Sequence, residues 1–307
     1  MGDLPSLRVS KLKAFSCVGL DYAGPFKITM GKYRGAKSYK GYICIFVCFA
    51  TKCIHLELSS DLTSETFIAS LRRFIARRGR CSVIHCDCGT NFVGANRQIL
   101  QLFQQAAETE NIEFRFHPPG SPHFSGLAEA GDKSVKTHLY RTIGEQILTY
   151  EEFYTLLTQI EAVLNSRPLY PASNDPNDIS ALTPGHFLTL EPLSCLPEPD
   201  LSHLKLSTLN RWQLLQRLHT QFWSRWRNEY LHTLQQRGKW LNPPQSISEG
   251  DLVLIKNENT SPLHWPLGRI VKLYLGKDNV ARVADVRTSQ GLLKRAIIKL
   301  CPLPMPD

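Results

Sequence analysis

The sequence predicts an α/β domain of about 190 residues, then a basic helix and a small β-barrel. Three observations carry that prediction. Apolar runs of strand length alternate with helical periodicities over the first 165 residues, a proline-rich passage at 192–199 breaks the chain, and short alternating runs with turn signals fill 247–303. The 307 residues leave room for about two domains. A hydrophobic share of 42% against 21% charged allows a buried core and excludes wholesale disorder. The longest apolar run, Tyr42 to Ala50, is far short of the ~20 residues that span a bilayer, so no membrane partner is expected. Met1-Gly2-Asp3-Leu4-Pro5 has neither the charged start nor the apolar stretch of a signal peptide, and an intracellular location follows as the expectation.

Each element has its own signal. Phe15 to Tyr22 is a short apolar strand stopped by Gly24-Pro25, and Tyr42–Phe49 and Cys53–Leu58 are two more. Residues 61–66 offer helix caps, and Phe67, Ile68, Leu71, Phe74 and Ile75 recur at helical spacing until Gly79. Ser82–Cys86 is a buried strand, Gly89-Thr90-Asn91-Phe92 a turn, 95–107 a helix and Asn111–Phe116 a strand. His117-Pro118-Pro119-Gly120-Ser121-Pro122-His123 is a loop, because its prolines and glycine deny regular structure. Helices follow over 125–143 and 150–165, the second opened by Thr149 with Glu151 and Glu152 in its first turn. A basic helix over 203–238 carries Trp212, Phe222, Trp223, Trp226 and Tyr230, a stripe that suits core packing better than base stacking. Strands close the chain at 252–255, 268–275, 280–286 and 296–300. The domains expected are a core at 1–192, a linker with the basic helix at 193–245 and the small barrel at 246–307.

Charge is unevenly placed. Residues 1–200 hold 20 Lys+Arg and 20 Asp+Glu, whereas 201–307 hold 16 and 7, so the last third carries the whole net charge of +9. Such asymmetry points to a polyanionic partner for the basic part. Arg72, Arg73, Arg77, Arg78 and Arg80 cluster at a helix end, suiting either a solvated, dipole-compensating surface or contact with DNA. The nine cysteines form no CxxC pair, which fits reduced thiols rather than a disulfide frame or zinc finger. Strand alternation puts Cys86 and Cys88 on the face opposite Asp87, as packed thiols.

Three carboxylates stand where an active site can use them. Asp21 ends the first strand, Asp87 follows the strand ending at Cys86, and Glu129 comes just after the Pro/Gly loop near a helix start. Strand ends and a helix start facing one crevice gather residues distant in sequence. Carboxylates without thiolate or imidazole partners suit Mg²⁺ or Mn²⁺, and two such ions about 3.5–4 Å apart support phosphoryl transfer. Taken singly, an aspartate at a strand end is more often a turn-former.

The surrounding words are more specific. Gly19-Leu20-Asp21-Tyr22-Ala23-Gly24-Pro25-Phe26, Cys86-Asp87-Cys88-Gly89-Thr90-Asn91-Phe92-Val93-Gly94-Ala95 and Pro122-His123-Phe124-Ser125-Gly126-Leu127-Ala128-Glu129-Ala130 resemble the three signatures of the integrase core of BEL/Pao-type LTR retrotransposons. Asn165-Ser166-Arg167-Pro168-Leu169, Leu182-Thr183-Pro184-Gly185-His186-Phe187-Leu188, Phe222-Trp223-Ser224-Arg225-Trp226 and Gly250-Asp251-Leu252-Val253 resemble further blocks, so the likeness covers essentially the whole chain. The resemblance implies a ribonuclease-H-like core with a mixed central sheet flanked by helices, and a C-terminal SH3-like β-barrel that contacts DNA. It implies a D,D,E triad at Asp21, Asp87 and Glu129, with 65 and 41 residues between successive members, holding two Mg²⁺ or Mn²⁺ ions. It also implies 3′-end trimming and joining of element DNA to target DNA; an active chain is expected to be a homo-oligomer, and one that acts on DNA is expected in the nucleus.

Nucleic-acid candidates follow from position. On a helix Lys133 and Lys136 share the face of Glu129, and Lys272, Lys277, Arg282, Arg287, Lys294 and Arg295 lie mostly near turns of the basic tail. Departures from the family pattern are Cys88 for the usual Asn, Ala128 for the usual Trp, and Gly131 and Asp132 just beyond Glu129. They raise the alternative of an inactive DNA-binding remnant co-opted by a host, and a third reading is another ribonuclease-H-like nuclease. Full-length integrases of this kind carry a His/Cys zinc module ahead of the core. That spacing is missing here, so no zinc is expected in this fragment, and Gly2-Asp3-Leu4-Pro5 resembles a linker inside a longer polyprotein.

Overall fold

The computed structural model describes residues 13–33, 35–105, 112–116, 126–173, 175–205, 208–235, 247–257, 260–278 and 280–304. The chain forms two compact units, Met1–Asn165 with Lys205–His219, and Ser166–Leu204 with Thr220–Asp307. Among the described residues no helix is long and apolar enough to cross a membrane.

In the first unit β1 (Cys17–Thr29), β2 (Ser38–Cys48) and β3 (Ile54–Ser59) make an antiparallel meander. β4 (Val83–Cys86) and β5 (Glu113–Phe116) extend it in parallel, giving the order β3-β2-β1-β4-β5. Helices α1 (Ser64–Arg78), α2 (Thr90–Gln105), α3 (Gly126–Ile143) and α4 (Tyr150–Asn165) complete a mixed α/β core of the ribonuclease-H-like kind expected. All six residues of β3 are buried, so its apolar run reports a strand covered on both faces. Phe74 of α1 stacks on Phe46 at 4.3 Å and meets Phe15 edge-on at 5.3 Å, pinning the helix to the sheet.

Local chemistry sets the helix ends. Thr63 Oγ1 accepts from Thr66 N–H at 3.3 Å at the start of α1, and Gly79, at φ 87°, ends it in a conformation that favours glycine. Thr149 and Glu152 form a reciprocal capping box on α4: Thr149 N–H donates to Glu152 Oε2 at 2.8 Å, and Glu152 N–H to Thr149 Oγ1 at 3.2 Å.

The structure corrects several sequence expectations. β1 does not stop at Gly24-Pro25 but passes through a register shift between Ala23 and Phe26, where proline loses no ladder bond. Gly24, at φ 137°, is needed there, because a Cβ would lie 2.9 Å from the Tyr42 ring and 3.1 Å from Gly41 O. The turn expected at 89–92 is the first turn of α2, which begins at Thr90.

In the second unit β7 (Tyr170–Pro171) pairs with β8 (Ala181–Leu182), and a short helix α5 (His186–Thr189) follows. Helix α6 (Arg211–Leu234), shorter than the 203–238 expected, supplies its residues from Thr220 onward to this unit. Trp223 and Trp226 are buried, and Trp265 meets Trp223, Trp226 and Tyr230 edge-on at 4.9–5.9 Å, so the stripe is core as expected; Trp212, an earlier member on α6, is exposed. Tyr230 OH donates to Pro168 O and Trp265 Nε1–H to Ser166 Oγ at 3.0 Å, which gives the Ser166–Pro168 block a structural task.

The tail forms a five-stranded antiparallel sheet of β9 (Leu252–Ile255), β10 (Leu267–Leu275), β11 (Ala281–Thr288), β12 (Gly291–Ala296) and β13 (Leu300–Pro302), in the order β12-β11-β10-β9-β13. A 3-10 turn at Ile297–Lys299 precedes β13, giving a small SH3-like module around Val253, Ile255, Ile270, Ala284, Val286 and Leu300. β12 escaped the sequence pattern because its residues are almost all exposed, and the strand expected at 296–300 is instead the end of β12, the 3-10 turn and the start of β13.

Candidate active site

β1 has two parallel neighbours along one edge. β4 pairs through Cys17–Val83, Val18–Ile84 and Gly19–His85, and β6 (Leu148–Thr149) pairs through Ile28–Leu148 and Thr29–Thr149. Between Gly19 and Ile28 that edge pairs with no strand among the described residues, and Asp21 lies in the gap. Asp87 follows His85 by two residues, as Asp21 follows Gly19. Neighbouring strands run about 4.8 Å apart, so the register sets out the two carboxylates from adjacent positions where β4 ends and β1 continues. The Asp21 side chain is 40% exposed and Asp87 is exposed.

The first two motifs touch. Tyr22, beside Asp21, stacks on Phe92 of α2 with centroids 5.5 Å apart and planes 16° apart. Phe92 also meets Phe67 of α1 edge-on at 5.0 Å. Gly94 lets α2 approach α1, since a Cβ there would lie 2.2 Å from Ser64 Oγ. Asp87 Oδ1 accepts from Gly89 N–H at 3.0 Å, shaping the turn into α2, and Asp21 Oδ1 lies 2.6 Å from Tyr22 N, which donates to it.

The third motif's helix reaches the same gap. Val135 and Leu139 of α3 are buried, and Tyr140 OH accepts the Gly24 N–H at 2.9 Å while its ring stacks on Phe26 at 4.8 Å. One turn before Tyr140, Lys136 Nζ is ion-paired with Asp21 Oδ2. The side chains of Glu129, Asp132 and Lys133, and the loop 117–125, lie outside the described residues. The helix axis places Glu129 two turns before Lys136 on the same face.

The described carboxylates fit a hard divalent cation as part of its ligand set. They are accessible oxygen donors, and an ammonium already rests on Asp21, so the position accepts positive charge. Among the described residues no three His, Cys, Asp or Glu side chains gather as a metal-binding group, the third candidate being Glu129. Burial pushes the Cys86 thiol up to about 12, with Asp87 and Cys88 adding to the rise, so Cys86 packs as expected. Cys88 does not: β4 ends at Cys86, alternation lapses, and Cys88 is exposed.

Three arginines of α1 are tied into the fold, while Arg72 is exposed. Arg73 Nε donates to Glu57 Oε2 at 2.7 Å, Arg77 pairs with Glu57, and Arg78 pairs with Glu161 of α4. Buried His55 is hydrogen-bonded through Nε2 to Glu57 Oε1 at 2.9 Å, and its Nδ1 lies 3.3 Å from Arg78 Nε and 3.2 Å from Glu161 Oε2. Burial holds the imidazole below its usual range, outweighing Glu161 at 3.2 Å, and Arg78 and Arg77 push the same way. Glu161 Oε2 and Asn165 Oδ1 accept the Leu56 and Ile54 N–H groups at 2.8 Å, so α4 side chains serve the backbone of β3.

In the second unit all six basic candidates are exposed. Lys272, Asp285 and Lys294 form one row across β10, β11 and β12. Lys272 and Lys294 lie 5.3 and 4.3 Å from the Tyr274 ring centre, and Tyr274 OH donates to Asp285 at 2.7 Å. Arg282 forks onto Asp278 at 2.9 and 2.5 Å, holding that carboxyl down at about 2. Arg287 donates to Asn177 Oδ1 at 2.7 Å, Arg295 to Lys294 O at 3.1 Å, and Lys277 stands in the β10–β11 turn. Arg295 pairs with buried Ala284 and so falls on the alternate side of the ladder from Lys294. Tyr140 and Tyr274 escaped the sequence reading; their signals were spacing, i+4 from Lys136 and i+2 from Lys272.

Residues 210–303 match a family of unknown function (DUF5641). No curated protein matches the sequence. Similar solved structures include the simian T-cell lymphotropic virus intasome in complex with PP2A regulatory subunit B56 gamma, at 18% identity and a TM-score of 0.33, covering 100% of this chain and 85% of that one. The HTLV-2 integrase catalytic core domain in complex with magnesium is similar in its dimeric form at 18% identity, 51% and 90% coverage and a TM-score of 0.35. Its trimeric form gives 20%, 43%, 74% and 0.29. These structural neighbours are retroviral integrases.

Proposed function

We propose that the chain is a BEL/Pao-type retroelement integrase core that cleaves DNA ends and joins them to target DNA. The observation that carries the reading is that two separated sequence motifs meet at one gap in the sheet through Tyr22–Phe92, and that the helix leading out of the third reaches the same gap through Lys136–Asp21. Asp21, Asp87 and Glu129 would hold two Mg²⁺ or Mn²⁺ ions, which supply activation of the attacking oxygen and stabilisation of the leaving one. The chain's own task is positioning: the rigid β1–β4 register and the docked α3 hold the carboxylates ready. Residues 1–192 form the catalytic part, 193–245 a linker with the basic helix, and 246–307 a DNA-contacting module using Lys272, Lys277, Arg282, Arg287, Lys294 and Arg295. The active form is a homo-oligomer working in the nucleus.

A second reading, a DNA-binding remnant without activity, is favoured by Cys88, Ala128 and Asp132. A Mn²⁺-dependent strand-transfer assay on a short duplex decides between them, with Asp87→Asn as control. Joined product from the wild type and none from the variant supports the enzyme. No product from either, alongside DNA binding that weakens steeply with salt, supports the remnant.

A further inference from the structure

We propose that Lys136 is a displaceable counter-ion that competes with the divalent cation for Asp21, and so sets the metal concentration at which the site fills. The inference rests on the metal-binding reading above and deepens it. Both Asp21 oxygens are engaged: Oδ1 by the Tyr22 N–H and Oδ2 by the Lys136 ammonium. A cation taking Oδ2 as a ligand meets that ammonium at contact distance, and two like charges do not share one carboxylate oxygen.

The surroundings let the ammonium leave without disturbing the helix. α3 is fixed by buried Val135 and Leu139 and by the Tyr140–Gly24 hydrogen bond, none of which involves the Lys136 side chain. That side chain is 28% exposed, and its four-carbon stem allows the charge to swing toward water.

The test measures Mn²⁺ binding to the full chain by the electron paramagnetic resonance of the free ion, without DNA. Lys136→Met and Lys136→Gln should bind Mn²⁺ about two- to fivefold more tightly than wild type, the size expected for losing one partly exposed ion pair. Arg141→Met removes a charge five residues along the same helix and should change affinity far less, owing to screening. Unchanged or weaker affinity in both Lys136 variants overturns the inference while leaving the metal site standing, as does an equal gain in Arg141→Met. Binding that is absent, or indifferent to Asp21→Asn, overturns the metal reading and the inference with it. Circular dichroism of each variant confirms that affinity is compared between folded proteins.

Discussion

Two groups of charged residues in the first unit use the same chemistry to opposite ends. At β3, Glu57 and His55 are wholly buried, and with Glu161 they are matched by Arg73, Arg77 and Arg78 and by backbone N–H groups. At the gap in β1, Asp21 and Asp87 are accessible, and Lys136 is the one cation paired with either among the described contacts. Removing a carboxylate from the first group leaves part-covered guanidinium groups and a buried imidazole without their acceptor, whereas removing one from the second leaves at most the part-exposed Lys136 ammonium without its partner. Burial and pairing, rather than residue type, separate charge locked into the fold from charge left accessible to solvent.

The largest effect expected from this contrast is in stability. Glu57→Gln should cost about 3 kcal/mol in urea unfolding, the low end for a broken buried pair, because Arg73 and Arg77 are 40% and 36% exposed and water replaces part of the loss. A cost below about 0.5 kcal/mol would show that the network is not holding β3 in place.

A smaller effect concerns pH. The folded His55 pKa lies below the ordinary 6.5, so its contribution to stability is complete above pH 6.5 and is lost as pH falls below it, while the unfolded chain takes up the proton. Burial opposes the lowering at Glu161, but His55, Arg78 and the Leu56 N–H together hold its carboxyl below 4.5, so its share is lost at lower pH still. Stability should therefore start to fall near pH 6.5, and His55→Gln should flatten that first stage. An unchanged slope between pH 6.5 and 5 in the variant would mean that the imidazole is already charged in the fold.

Smallest of all should be the change in stability from Asp87→Asn, within about 0.5 kcal/mol, because the side chain is exposed and its contact is a local one to Gly89 N. A cost near that of Glu57→Gln would reclassify Asp87 as structural.

Much of this was legible in the sequence, and the exceptions have physical causes. The caps at Thr63 and Thr149, the stop at Gly79 and the apolar runs of β2 and β3 are local signals that packing kept. The bulge that carries β1 past Pro25 was hidden, because its partners on β2 and α3 are distant in sequence. Exposed β12 has no apolar alternation to announce it. Among the candidate residues, Asp21 and Asp87 were named from motifs and Lys136 from its helical spacing to Glu129, but not that Lys136 pairs with Asp21. Arg73, Arg77 and Arg78 read as part of a solvated face or a DNA contact because Glu57 and Glu161, their partners, lie on other elements.

Whether Asp21 and Asp87 share a divalent cation with Glu129, as proposed, is decided by a crystal structure of the chain soaked in Mn²⁺, with anomalous scattering locating the ion. An anomalous peak is expected about 2.1 Å from carboxylate oxygens of both Asp21 and Asp87, with Glu129 completing the group. Manganese bound elsewhere only, or any one of these carboxyl groups more than about 10 Å from the other two, a gap wider than two such ligand bonds and the intermetal distance, would contradict the proposal.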